Sequence, residues 1–354
     1  MDSRTCPLFF MRKYLKVGGI ILILLLLIFY VFNFEAVNYG LRQAKGQLRI
    51  IFDTQPVEEL LGDAAFPDSL RYKLELINEI KQFTVDSLGL LPSKSYTRYY
   101  DQQGEPILWV VTASEPYALQ SKMWKFPVVG EFSYKGHFER HRAEKDAELL
   151  KKEGYDVRIG EVSAWSTLGY LSDPVLSSML EKNEGQLAAL IIHELTHGTL
   201  FVKNDLEFNE NLADFVGDEG ARKFLRYKFG ADSEQLKTYE AELEFQQRYA
   251  AHIRAGAGEL DSLFQTFTPE MASKYKDSLK YDLIDRIMCD AEALDSTGRF
   301  RYRGRRTVNN AYFTAFSTYQ GRQKDFEKEL KERFGGNFNA YLVFLKKQYS
   351  SLGK

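Results

Sequence analysis

The chain has 354 residues, of which 44% are hydrophobic, 27% charged and 14% aromatic, the profile of a folded globular protein and not of a disordered or collagen-like one. Its 47 Lys+Arg against 49 Asp+Glu leave a net charge of -2, which provides no basic surplus for gripping phosphates and excludes a nucleic-acid partner. The two cysteines, Cys6 and Cys289, stand on opposite sides of a long apolar run. Neither an intrachain disulfide nor a cysteine metal cage is expected, so any metal must be held by His and carboxylates.

Residues 1–16 read as a short cytoplasmic N-terminus. From Val17 to Phe34 the sequence VGGIILILLLLIFYVFNF carries no charge over 18 residues. A helix of that length spans about 27 Å, close to a bilayer core, so residues 17–34 are expected to be a transmembrane anchor in contact with lipid. No A-x-A site follows, which favours an uncleaved anchor over a signal peptide. Arg12, Lys13 and Lys16 precede the run while Arg42, Lys45 and Arg49 follow it, a weak bias toward a cytoplasmic N-terminus. The expected location is a bacterial inner membrane, with residues 35–354 in the periplasm.

In the remainder, Asp68 to Leu88 has apolar residues at helical spacing after Pro67, and Ile107 to Ala113 reads as a buried strand. Further strands are expected over Phe126 to Tyr134 and Asp156 to Trp165. A charged amphipathic helix is expected over Phe138 to Glu153, ended by Gly154. His137 and His141 are expected as surface residues at its start. From Asp173 onward the pattern is helical, including Ser233 to Ala255 and Asp277 to Ala293. The fold expected is α+β, mixed to about residue 172 and mainly helical after it, as one unit over 35–354.

The chemistry concentrates in Gln186 to Leu225. His193-Glu194-Leu195-Thr196-His197 is an HExxH string. Histidines at i and i+4 share one helical face and can reach one Zn²⁺, while Glu194 can contact the metal-bound water as general base. Leu187, Leu190, Ile191 and Ile192 before it would bury that helix. After a turn near Lys203-Asn204-Asp205, Glu210 and Asp214 lie at i and i+4 on a second helix. If the first helix runs to about Val202 and the second returns from about Glu207, Glu210 comes level with the histidines as third ligand. Asp214, one turn deeper, would accept a hydrogen bond from a ligand imidazole and fix its orientation. Two His, one Glu and a water leave the single Zn²⁺ an open catalytic position.

HELTH followed by FNENLADFVGDEGA resembles the gluzincin pattern of HExxH with a downstream Glu-x-x-x-Asp. More specifically it resembles the bacterial family of putative aminopeptidases, which pairs HELxH with a nearby FNExxA segment. The resemblance extends through Trp124 to Gly130, Tyr134-Lys135-Gly136, Ala164 to Tyr170 with Asp173 to Leu176, and Asn309-Asn310-Ala311. It implies a zincin-like, zinc-dependent peptidase, an aminopeptidase by the family label, with His193, His197 and Glu210 as ligands and Glu194 as base. The alternatives are a zinc endopeptidase and a catalytically silent, membrane-tethered binding protein. An amide hydrolase also needs a donor for its oxyanion, for which Tyr170, Tyr312 and Tyr319 are candidates. An aminopeptidase needs a carboxylate for the substrate ammonium, for which Glu115 is the candidate. Ser166 and Thr167 would line a cleft or cap the helix beginning near Asp173.

Overall fold

The computed structural model describes residues 7–126, 130–162, 172–203, 205–295, 300–304, 308–317 and 323–349. The chain divides into two units, Met1–Phe52 and Asp53–Lys354.

The first unit is two helices, α1 (Pro7–Phe32) and α2 (Phe34–Phe52). Along α1 the side chains of Ile20, Leu24, Leu25, Ile28 and Val31 are each more than half exposed. Among the described residues no helix is long and apolar enough to cross a membrane. The run 17–34 singled out by the sequence includes Leu22, Ile23 and Leu26, whose side chains lie outside the described residues.

The second unit is a helix-rich α+β domain. It opens with β1 (Gln55–Pro56), α3 (Val57–Gly62), α4 (Asp68–Asp86), β2 (Arg98–Tyr100) and β3 (Leu108–Ser114). There follow β4 (Trp124–Phe126), β5 (Gly130–Phe132), β6 (Tyr134–His137), α5 (Arg140–Lys152), β7 (Asp156–Val162) and β8 (Val175–Leu176). The rest is helical: α6 (Glu184–His197), α7 (Leu206–Phe229), α8 (Glu234–Gln265), α9 (Ser273–Ala293), α10 (Asn310–Ser317), α11 (Gln323–Phe334) and α12 (Phe338–Gln348).

The central strand β3 pairs antiparallel with β6 on one side and β7 on the other, Trp109 opposite both His137 and Glu161. Its alternate residues Trp109, Val111 and Ala113 are buried with Ala143, Ala147 and Leu150 of α5, the period-2 burial of a half-covered sheet. A second small sheet has order β1-β2-β8, with β2 and β8 parallel. Buried Lys280 of α9 ties the sheet to the helical half. Its ammonium donates to Asp156 at 2.7 Å and to the Pro116 carbonyl at 2.9 Å, the pairing a buried charge requires.

Several expected elements differ in detail. Within Phe126 to Tyr134, residues 127–129 lie outside the described residues, and the rest is divided between the end of β4, β5, which pairs antiparallel with β4 and starts at Gly130 with φ +102°, and the start of β6. The charged stretch Ser233 to Ala255 falls within α8, which runs ten residues further, through Gly256 and Gly258. Glycine disfavours a helix in isolation, but a Cβ at Gly256 would meet Ile287 of α9 at 2.7 Å, so packing against α9 overrides propensity. His137 is not a surface residue. It closes β6 at 6% exposure, and its Nε2 lies 3.0 Å from Asp146 of α5, which also takes the Lys135 ammonium. His141 is exposed, as expected.

Candidate metal centre

Helix α6 begins with a reciprocal cap. The Asn183 side chain accepts from the Gln186 N–H, and the Gln186 side chain accepts from the Asn183 N–H, satisfying two of the N–H groups that a helix start leaves open. Leu187, Ala188, Ile191 and Ile192 are wholly buried, so the helix carrying the histidines is a core helix. It stops at His197 and does not continue to Val202. Beyond Gly198, the buried Asn209 side chain takes over the turn, accepting from Val202 N–H at 2.7 Å and donating to Val202 C=O at 2.8 Å. Asn209 thereby closes the connection between α6 and α7, and Asp205 caps α7 by accepting from the Phe208 N–H.

The two helices approach closely because α7 presents glycine where they cross. A Cβ at Gly217 would lie 2.9 Å from the Ala189 carbonyl and 3.3 Å from the His193 Cβ, and one at Gly220 would lie 2.9 Å from Ile192. Gly217 stands three and seven residues after Asp214 and Glu210, on the same face of α7. Gly185, at the start of α6, is likewise covered by Tyr239 of α8, whose hydroxyl donates to half-buried Asp218 at 2.8 Å. Burial pushes the Asp218 carboxyl up to about 6, against the opposing pull of that hydrogen bond.

This packing brings His193, His197 and Glu210 together, one donor atom from each within 4.8 Å of the others. The two Nε2 atoms are 3.2 Å apart, and the Glu210 oxygens lie 3.5 Å from His193 Nε2 and 3.6 Å from His197 Nε2. For ligand bonds of about 2.0–2.1 Å, the edge of a tetrahedron around zinc is about 3.3–3.4 Å. The separations lie near that edge, with different carboxylate oxygens making the two Glu210 approaches, Oε2 toward His193 and Oε1 toward His197, so the residues present are a two-His, one-carboxylate donor set of the kind that holds a zinc ion. The Asp214 carboxylate lies 2.7 Å from His193 Nδ1. That contact commits Nδ1 to donating and leaves Nε2 facing the cluster. The His197 Nδ1 is buried without a hydrogen-bond partner among the described residues.

The electrostatics of the cluster suit a cation. Burial disfavours charge on His193, but hydrogen bonds to Asp214 and Glu210 and the charges of Asp214 and Glu194 outweigh it and raise the imidazole to about 10. His197 is held neutral, pushed down to about 4 by burial and by the neighbouring His193. Burial acts to raise Glu210, yet its histidine partners hold it below the ordinary carboxylate value.

The expected substrate-binding residues do not gather here in the same way. Tyr312 lies on α10, its hydroxyl 2.6 Å from that of Tyr249, and lines a cavity of about 530 Å³ that includes Arg158 and Asp156 but none of the cluster residues. Glu115 bonds through its backbone, to Gln120 and to the Asn310 side chain. Tyr170, Tyr319, Ser166 and Thr167 lie outside the described residues. Two other tyrosines are near the centre. Tyr134 of β6 is raised by burial and by the charge of Glu210, and Tyr96 by burial and then by the charges of Glu194 and Asp173. A cavity of about 370 Å³ beside Glu194 is lined by Leu91, Ser95, Tyr96, Asp173 and Gly198. Neither tyrosine stands in a recognisable string around the HExxH segment, although the positive φ of Tyr96 marks it once the backbone is known.

A family model described as "Putative aminopeptidase" matches residues 38–350. No curated protein and no solved structure matches the chain.

Proposed function

Because the chain belongs to the putative aminopeptidase family, we propose that it is a zinc-dependent peptidase of zincin-like architecture that releases residues from free N-termini. One Zn²⁺ would be held by His193, His197 and Glu210. The observation that carries this reading is the convergence of two imidazole nitrogens and the Glu210 carboxylate from facing helices, one donor atom from each within 4.8 Å of the others. Zn²⁺, when bound, supplies a Lewis acid that polarises the scissile carbonyl and acidifies water.

The chain's own residues do the rest. Glu194, between the two histidines in sequence and lining the 370 Å³ cavity, takes the proton of the attacking water and passes it to the departing amine. Asp214 holds the His193 ring so that Nε2 stays turned to the centre. The cavity is within the size range of small-ligand sites and receives the substrate end next to the base. Glu115 as the ammonium anchor belongs to the same proposal, whereas Tyr312 lies in a separate cavity and is not carried forward as an oxyanion donor.

The same reading anchors the chain in a bacterial inner membrane through residues 17–34, with 35–354 in the periplasm. Its support is the uncharged 18-residue run and the exposure of Ile20, Leu24, Leu25, Ile28 and Val31 along α1. Protease added to spheroplasts then digests the domain, whereas full protection under an intact inner membrane contradicts the orientation.

The test of function compares one peptide with its amine free and acetylated. The free form is expected to lose its N-terminal residue, and Glu194→Gln to lower turnover by about 10²–10⁴-fold with the fold intact. Equal cleavage of both peptides at an internal bond makes the protein an endopeptidase. Absence of hydrolysis by zinc-loaded parent makes it a binding protein.

A further inference from the structure

Tyr96 is among the largest fully buried side chains of the domain and has two properties that core packing does not account for. Its hydroxyl is buried and has no hydrogen-bond partner among the described residues. Its backbone is left-handed, at φ +65°, a conformation that costs an aromatic residue and persists only where surrounding contacts enforce it. Those contacts are present. The Tyr96 N–H donates to the Asp173 carbonyl at 2.6 Å, the Asp173 N–H donates to Ser95 Oγ at 3.1 Å, and the Lys81 ammonium donates to the Ser95 carbonyl at 2.5 Å. Three hydrogen bonds thus fix a strained turn at a residue that lines the cavity next to Glu194.

An unpaired buried hydroxyl destabilises the resting protein. Strain and an unsatisfied donor placed together beside the expected base are what a preorganised site contains before its ligand arrives. Resting on the peptidase reading, the geometry points to Tyr96 as the catalytic residue whose O–H donates to the substrate carbonyl oxygen as it becomes an oxyanion. The acceptor missing in the free protein is then supplied by the substrate. No bond to Tyr96 forms or breaks; the hydrogen bond strengthens as negative charge develops on the oxygen. Burial and the charges of Glu194 and Asp173 raise the phenol well above its ordinary value, which keeps it a protonated donor across the working range of such an enzyme. Tyr134, near Glu210, is the comparison residue. It lies on β6 in ordinary extended structure and its backbone carries no such strain.

The test uses the full-length, zinc-loaded chain as parent, Tyr96→Phe and Tyr134→Phe. Turnover of a free-amine peptide, affinity for a phosphinic peptide mimicking the tetrahedral state, affinity for the product amino acid, and the thermal midpoint of the metal-free protein are measured. Tyr96→Phe is expected to lower kcat roughly 100-fold with KM little changed, and to weaken the phosphinic peptide in proportion. Product affinity is expected to stay the same, and the thermal midpoint to hold or rise because an unpaired polar group has been removed. Parent-like turnover and phosphinic affinity in Tyr96→Phe overturn the inference, as does a loss found in Tyr134→Phe alone. A lower thermal midpoint, or failure to fold, also overturns it, since the hydroxyl would then serve the free protein's structure. If the zinc-loaded parent hydrolyses no peptide, the proposed function fails and this inference fails with it; if the parent is active and Tyr96→Phe matches it, only this inference fails.

Discussion

Gly217→Ala tests whether packing sets the geometry of the centre, because the substitution adds one methyl group and alters none of the donor side chains. The added Cβ would lie 2.9 Å from the Ala189 carbonyl oxygen, where ordinary contact begins at 3.4 Å. The obstacle is backbone and cannot rotate aside, so α7 must retreat from α6 by about half an ångström. Two energies oppose each other in stability. Alanine gains about 1 kcal/mol over glycine in a helix interior, while overpacking costs about 1–3 kcal/mol. The net change is small, from about zero to a loss of about 2 kcal/mol. The metal centre has no such compensation. Zinc ligand distances tolerate about 0.2 Å, and Glu210 and Asp214 move with α7, so zinc affinity should fall on the order of tenfold or more. Chelator competition with purified protein measures the affinity, and thermal melting of the metal-free protein measures the stability. Gly220→Ala is the control, since its Cβ meets only the side chains of Ile192 and Leu88, which can repack. It should lose stability while retaining zinc. Zinc affinity unchanged in Gly217→Ala, or lost equally in both variants, refutes the claim that this glycine seam sets the ligand spacing.

Asp214→Ala leaves all three donors in place but frees His193 to change tautomer and orientation; zinc affinity measured by chelator competition should fall roughly 10–100-fold, and an unchanged value would show that the 2.7 Å contact does not orient the ligand. Asp146 predicts an acid dependence away from the centre. Burial raises its carboxyl, but the His137 hydrogen bond and the Lys135 ammonium outweigh that and bring it down to about 2 from an ordinary 3.8. A depressed carboxyl contributes stability that is fully present above about pH 4 and is lost as pH falls toward 2. Allowing for its partial exposure, the contribution is about 1 kcal/mol. Asp146→Asn should therefore melt below the parent at pH 7 and converge with it near pH 2, and a constant difference across that range would contradict the assignment.

The sequence is most informative where chemistry and periodicity coincide. Histidines four apart on an apolar helix can share a metal only through one face, and that alone locates His193, His197 and Glu194. Glu210 and Asp214 follow from a second helix with the same spacing. The length of the turn between them is not legible, because it depends on Asn209 bonding the backbone of Val202, a contact made only when α7 has docked. The glycine seam is similarly hidden. Gly217 and Gly220 read as helix-weakening residues until the facing carbonyl of Ala189 is known. His137 stands in a charged stretch that points to the surface; its burial comes from pairing with Trp109 across β3 and from the Asp146 carboxylate. The extension of α8 through Gly256 has the same origin, since only the contact with Ile287 explains helix where propensity argues against it. Tyr96 has no signal at all in the sequence, because an unpaired hydroxyl and a left-handed backbone are properties of the folded chain.

The central claim is that His193, His197 and Glu210 hold one zinc ion. Elemental analysis of the purified full-length chain, supplied with zinc and then freed of excess, tests it without reference to any substrate. The parent should retain one zinc per chain and Glu210→Ala well under one. No retained divalent metal in the parent, or full retention in Glu210→Ala, would contradict the assignment of this cluster as the metal centre.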